Sequence, residues 1–246
     1  MSDLQKINFI TRDYENSFIY DDDNNTYEKD NVSIFQLPES TDFLTIFILF
    51  DKFDDKTHAQ LVNCITSIKT QTFLNIKTTI INFDTSYKAQ NTVNKIATNI
   101  NAQFITLAKK NISEALDSVI KNCTSKYISI LNYTDIIPRV KDIEFVTKNL
   151  FEKDYDFLTL TVKYFDESGN MLNIKYDDNI TLKSTINTHY SAYFKTEILK
   201  QYKFSKLNTN PLDEAMVAIF EQNNKKGNHI SSKTQMTFIE KLDTKK

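Results

Sequence analysis

Glycine occurs only twice in the 246 residues, at Gly169 and Gly227. Phosphate-binding loops use glycine where backbone must approach an anion or turn with positive φ. Neither glycine follows an early strand-like segment, so a GxGxxG or Walker-type loop is excluded, and any nucleotide must be met by side chains. Cysteine is equally scarce: Cys64 and Cys123 sit on apolar helical faces without metal-ligand spacing and are expected as buried, reduced thiols. The three histidines, His58, His189 and His229, are too far apart for an HExxH or zinc-deaminase motif. No apolar run approaches the roughly 20 residues of a membrane helix. The opening MSDLQKINF lacks the charged and apolar regions of a signal peptide, so a cytoplasmic location is expected. A net charge of -2 argues against an electrostatic nucleic-acid binder.

What is present is enough for a core. Hydrophobic residues make up 40% and aromatics 12% of the chain, and the length suits one large or two small domains. Residues 1–40 stand apart. Asp21, Asp22, Asp23, Asn24 and Asn25 form a polar run, Pro38-Glu39-Ser40 reads as a linker, and residues 7–10 and 33–37 have the pattern of short edge strands. This stretch reads as a solvated arm or docking segment, and residues 41–246 as the main domain.

In that domain residues 43–50 are a nearly continuous apolar run, as expected for a strand buried on both faces. Asp54 and Asp55 offer a cap for a helix carrying Leu61, Val62, Cys64, Ile65 and Ile68. A strand over 77–83, a helix with Val93, Ile96, Ala97 and Ile100, and a strand over 103–107 follow. Asn111 and Glu114 have capping-box spacing before a helix whose expected buried face is Ile112, Ala115, Leu116, Val119 and Ile120. A fourth strand, 126–131, leads past Pro138 to a helix with Ile143, Val146 and Leu150. The alternation predicts an α/β fold with a mainly parallel sheet and right-handed crossovers. Beyond it, residues 157–165 and 171–176 flank Glu167-Ser168-Gly169-Asn170 as a hairpin. A short helix over 196–202, a longer one over 211–223 opened by Pro211, and a strand over 229–238 complete an antiparallel extension.

Residues 61–73 read L-V-N-C-I-T-S-I-K-T-Q-T-F, and residues 75–86 read N-I-K-T-T-I-I-N-F-D-T-S. Residues 125–135 read S-K-Y-I-S-I-L-N-Y-T-D, and Asp213-Glu214 follows later. In this order the segments resemble family 2 glycosyltransferases of the GT-A fold, over about residues 43–225. The resemblance implies a mainly parallel central sheet flanked by helices. It also implies a nucleotide-sugar donor such as a UDP-sugar, Mg²⁺ or Mn²⁺ on a D-x-D motif to neutralise the departing diphosphate, and a carboxylate base for the acceptor hydroxyl. Transfer in that family inverts the anomeric carbon.

Residue by residue, the parts are depleted. The two D-x-D positions correspond to Asn132 and Thr134, which removes two formal charges from a metal site and makes a bound metal doubtful. The family's D-D-G-S corresponds to Phe83-Asp84-Thr85-Ser86, and its aromatic after the first strand to Phe53-Asp54, with altered spacing. Leu116 stands where the family carries an arginine towards the diphosphate.

Each candidate has two readings. Asp135 is a surviving metal ligand or a cap on the turn before Pro138. Asp84 contacts a ribose or base at the carboxyl end of a strand, or is a turn aspartate. Asp213 and Glu214 supply the acceptor base, or complement a helix dipole. His189 lies near a metal or is a structural histidine. Tyr190, Tyr193 and Phe194 line an acceptor cleft or belong to the core.

The expectation is a module with a degraded nucleotide and metal site, non-catalytic or weakly active, that accompanies a partner glycosyltransferase subunit or further domain in glycan or glycoprotein synthesis. The alternative is an active inverting glycosyltransferase acting on a glycan, cell-wall polymer or protein. An unrelated α/β interaction domain is the third reading. The Lys-, Asn- and Ile-rich composition fits an AT-rich bacterial genome.

Overall fold

The structure, a computed structural model, describes residues 42–107, 112–165, 171–172, 192–201, 203–204 and 227–238. Its strands are β1 (Leu44–Phe50), β2 (Ile76–Asn82), β3 (Gln103–Thr106), β4 (Tyr127–Asn132), β5 (Asp135–Ile136), β6 (Phe157–Phe165), β7 (Met171–Leu172), β8 (Ala192–Lys195) and β9 (Gly227–Phe238). Its helices are α1 (Asp55–Lys69), α2 (Tyr87–Asn99), α3 (Ile112–Asn122), α4 (Asp142–Lys153) and the single turn α5 (Thr196–Leu199).

β1 is buried along its whole length because it pairs in parallel with β2 on one side and β4 on the other. Its side chains divide between two cores. Leu44, Ile46, Ile48 and Phe50 pack with Leu61, Ile65 and Ile68 of α1, Val93 of α2 and Val146 of α4. Phe47 and Leu49 pack on the other face with Leu116, Val119 and Ile120 of α3 and Ile198 of α5. Alternate residues of a strand point to opposite faces, so an uninterrupted apolar run is what a sheet covered on both sides requires.

The sheet order is β3-β2-β1-β4-β8-β6-β9-β5, with β7 paired to β6. The parallel half follows the expected alternation. Beyond β4 the arrangement departs from it. β8 inserts antiparallel between β4 and β6, and β9 runs parallel to β6, with a register shift at Leu160/Thr161. Antiparallel pairing in the extension is therefore confined to β8, the β6–β7 hairpin and the β5–β9 pair. Tyr193 and Phe194, considered above for an acceptor cleft, are buried in the two cores, and burial raises the Tyr193 phenol pKa. Ile112 is exposed rather than buried, whereas Ala115, Leu116, Val119 and Ile120 are buried as expected. The segments 7–10, 33–37 and 211–223, together with Asn111 and Tyr190, lie outside the described residues.

Glycine's usual left-handed positions have been taken by other residues. Asn101, just past α2, and Asp154, at the end of α4, have φ of 52° and 48°. Both types tolerate this region better than most, because a short polar side chain can satisfy local backbone groups.

The Q-T-F segment makes a joint. Gln71 is buried at the end of α1. Its Nε2 donates to the carbonyls of Ser67 and Arg139, both at 2.9 Å, and its Oε1 accepts from the N–H of Ile143 at 3.1 Å. Ser67 Oγ adds an acceptor for the N–H of Ile137 at 3.1 Å. These bonds lock α1 to the segment that leads into α4 and fix what lies above it.

Candidate functional site

Because β1, β2 and β4 are parallel neighbours, their carboxyl ends open on one edge of the sheet. Phe50 lies beside Asn82, and Leu49 beside Asn132. Phe53, Asp54, Asp84, Asn132, Thr134 and Asp135, named from sequence, all fall in or beside the segments that leave this edge. His189, Asp213 and Glu214 lie outside the described residues.

The edge is built by local hydrogen bonds. The side chain of buried Asn82 brackets residue 84, donating to its carbonyl at 2.7 Å and accepting from its N–H at 3.0 Å. That turns the Asp84 carboxylate across the gap, where Oδ2 accepts from the N–H of Phe53 at 2.9 Å and Oδ1 from the N–H of Ser86 at 2.8 Å. One carboxylate thus ties the loop after β1 to the loop after β2. Burial pushes the Asp84 pKa up, but the Ser86 and Phe53 N–H groups outweigh it, and the net shift is downward. Each oxygen has one lone pair so engaged and one left.

Asp54 has a different task. It caps α1, accepting from the N–H of Thr57 at 2.8 Å while the Thr57 hydroxyl accepts from the Asp54 N–H, a reciprocal capping box. The Thr57 N–H is the main cause of its lowered pKa, with Lys52, 3.6 Å away, adding to it. The Phe53 ring meets Phe50 edge-on at 6.5 Å, with His58 at 5.9 Å and the Lys88 ammonium 5.2 Å from its centroid.

The turn after β4 closes on itself. Asp135 has no exposed surface, and its Oδ2 accepts from the N–H of Asn132 at 2.8 Å. Tyr133, between the two depleted D-x-D positions, packs edge-on against Phe50 at 5.3 Å. Cys64 lies under the turn, its thiol 3.7 Å from the Asn132 carbonyl, and burial foremost, then the nearby Asp135, raise its pKa. Leu116 is fully buried on α3. The position matched to an arginine is therefore a packing position.

A Mg²⁺ or Mn²⁺ centre needs hard oxygen donors, as a rule with carboxylates among them. The two D-x-D positions provide an amide and a hydroxyl, the neighbouring carboxylate is turned into the interior, Asp54 caps a helix and Asp84 staples two loops. Among the described residues no three His, Cys, Asp or Glu gather as a metal would require. This donor set does not fit a divalent cation.

Sequence reasoning passed over Lys52, Lys88 and Tyr87, all exposed at this edge. A signal was present for Lys88. It occupies the first turn of α2, where a cation opposes the helix dipole, and such local violations flag functional positions. Two clefts, of about 480 and 220 Å³, lie elsewhere: one by Lys126, Asp154, Lys195 and Lys200, the other beside α3 and the amino-terminal half of β1. The larger is lined by an ion network in which Lys195 bridges Asp154 and Asp156, each at 3.1 Å.

The fold defines the class. It is a GT-A-like α/β domain, mainly parallel and covered on both faces, with antiparallel strands towards its C-terminal end. Residues 1–349 of S. aureus TarS superpose with a TM-score of 0.62 at 12% identity, covering 80% of this chain and 60% of that one. The same fragment in complex with UDP-GlcNAc gives 0.60 at 13%, covering 82% and 60%. The mannosyltransferase PcManGT from Pyrobaculum calidifontis, in complex with GDP-Man and Mn²⁺, gives 0.59 at 9%, covering 95% and 64%. The chain thus spans about three-fifths of the TarS fragment. No protein-family model matches the chain, and no curated protein matches it significantly in sequence. No helix among the described residues is long and apolar enough to cross a membrane.

Proposed function

We propose that this chain is a family 2 glycosyltransferase-like module that keeps the nucleoside end of a donor site and has given up the metal-centred end. The observation that carries the reading is the Asp84 staple beside the Phe53 ring. An ionised carboxylate fixed by two backbone N–H groups, with a lone pair left on each oxygen, can accept from a base N–H or a ribose hydroxyl. An aromatic face next to it is what a base stacks on. The likeness to structures holding UDP-GlcNAc and GDP-Man supports a nucleotide-sugar as the ligand class.

On this reading the module is weakly active or non-catalytic, because the residues that would stabilise the leaving diphosphate have become an amide, a hydroxyl and a buried leucine. It works in a bacterial cytoplasm, beside a partner glycosyltransferase subunit or a further domain, on a glycan, cell-wall polymer or protein acceptor. The alternative, an active inverting enzyme, assigns the acceptor base to Asp213 or Glu214 and draws on the likeness to structures with whole donors bound.

Calorimetric titration of the chain with UDP, GDP and their sugars tests the reading. Micromolar binding that Asp84→Ala weakens by about tenfold or more is expected. A folded protein that gives no heat with any of them refutes it. A donor-turnover assay then separates the accessory module from the working enzyme.

A further inference from the structure

The edge that lacks carboxylates for a cation carries cations of its own. Lys52 stands on the loop between β1 and α1, and Lys88 in the first turn of α2 with its ammonium over the Phe53 ring. Their partners here are weakly held. Lys52 pairs with Asp54 at 3.6 Å and Lys88 with Asp55 at 4.0 Å, all four side chains well exposed. Pairs of this kind contribute little and are readily exchanged for a multiply charged anion. The aspartates do not depend on the lysines for their place, since Asp54 is fixed by its bonds to Thr57.

We propose that a nucleoside diphosphate binds at this edge without a divalent cation, its phosphate charge neutralised by Lys52 and Lys88. The proposal rests on the nucleotide-site reading above and deepens it. It follows from two independent observations. The first is the donor set, in which Asn132 and Thr134 are neutral and Asp135 is turned into the interior to hold the Asn132 N–H. The second is the placement of two unburied ammonium groups around Phe53, one of them held there against the helix dipole at about 0.3–1 kcal/mol. A nucleotide whose base engages Phe53 and Asp84 brings its phosphates within reach of both lysines, which are flexible point charges suited to phosphate.

The test titrates the full chain with UDP and GDP, and with uridine and guanosine as phosphate-free controls, each in EDTA and in millimolar Mn²⁺. Wild-type protein, Lys52→Ala, Lys88→Ala and the double variant are compared, with circular dichroism to confirm folding. Diphosphate affinity is expected to be equal within about twofold in EDTA and Mn²⁺, to fall about tenfold in each lysine variant, and to weaken with salt. Nucleoside affinity is expected to change little in Lys52→Ala. An increase of about tenfold or more with Mn²⁺ overturns the proposal, as do lysine variants that bind the diphosphates like wild type. If neither nucleosides nor diphosphates bind, the nucleotide-site reading falls and this proposal with it. Binding only with Mn²⁺ leaves that reading intact and removes this one alone.

Discussion

Gln71 bridges three backbone groups that no other side chain is placed to bridge, and its removal has a size that can be worked out. Gln71→Ala deletes two donations, to the Ser67 and Arg139 carbonyls, and one acceptance from the Ile143 N–H, all at a residue only 3% exposed. At about 1 kcal/mol net per bond the loss is about 3 kcal/mol, with a range of about 2–4 because the Ile143 N–H is left in the interior. Water entering the small void would moderate the figure. With a urea dependence of about 3 kcal/mol/M for a chain of this size, the unfolding midpoint moves down by about 1 M. Circular dichroism at 222 nm through a urea series reads it, with Thr72→Ala as the exposed neighbour that moves little. Gln71→Glu is expected to be worse than alanine, since a carboxylate faces two carbonyls where the amide donated. A Gln71→Ala midpoint within about 0.2 M of wild type would refute the claim that this side chain is the joint between α1 and α4.

Asp135→Ala leaves the Asn132 N–H without its acceptor and is expected to cost about 1–3 kcal/mol by the same urea assay, with no new response to Mn²⁺. Asn101→Gly relieves a left-handed non-glycine position and is expected to add several tenths of a kcal/mol up to about 1, read as a raised urea midpoint. Acid should destabilise the fold through Asp84 and Asp154. Asp154 is lowered first by its hydrogen bond to Lys195, and Asp84 on balance by the Ser86 and Phe53 N–H groups. Carboxyls depressed on folding contribute stability above their unfolded value of about 4, and that contribution is lost as pH falls through the lower folded values. Asp84→Asn should therefore flatten the stability curve below about pH 4. Lys195 behaves oppositely: burial pulls its pKa down, but Asp156 and Asp154 raise it overall. Its contribution is complete below about pH 10.4 and is lost as pH rises through the folded value, a loss Lys195→Met should abolish.

The parallel half of the fold was legible because each element announces itself locally. A run such as residues 43–50 can hardly be anything but a strand covered on both faces, and Asp54 four residues beyond β1 marks where α1 begins. The second half was not, because its arrangement is decided by partners far away in the chain. Nothing in Ala192-Tyr193-Phe194-Lys195 tells that this strand slides between β4 and β6, and the parallel run of β9 along β6 likewise depends on long-range pairing. The site divides in the same way. Position at the strand ends could be read from order alone. Direction could not. Asp135 looks in sequence like an acidic residue on an exposed turn, and only the closed hydrogen bond to Asn132 reveals that it points inward. The Gln71 and Ser67 contacts explain why a family-like pattern persists where the chemistry has thinned: those residues hold helices together, and their task is independent of any ligand.

The pairing of β5 with β9 sets an order in time. Asp135 and Ile136 find their strand partners in Thr237 and Met236, a hundred residues further on. During synthesis the parallel half can assemble around α1, α2 and α3 while the turn at 132–135 still waits for its outer rail. A loop that long closes slowly, and its closure entropy is met before the contacts reward it. The ribosome therefore delivers the scaffold first and the finished donor edge last, so a nascent chain arrested before β9 would carry the core without a settled site.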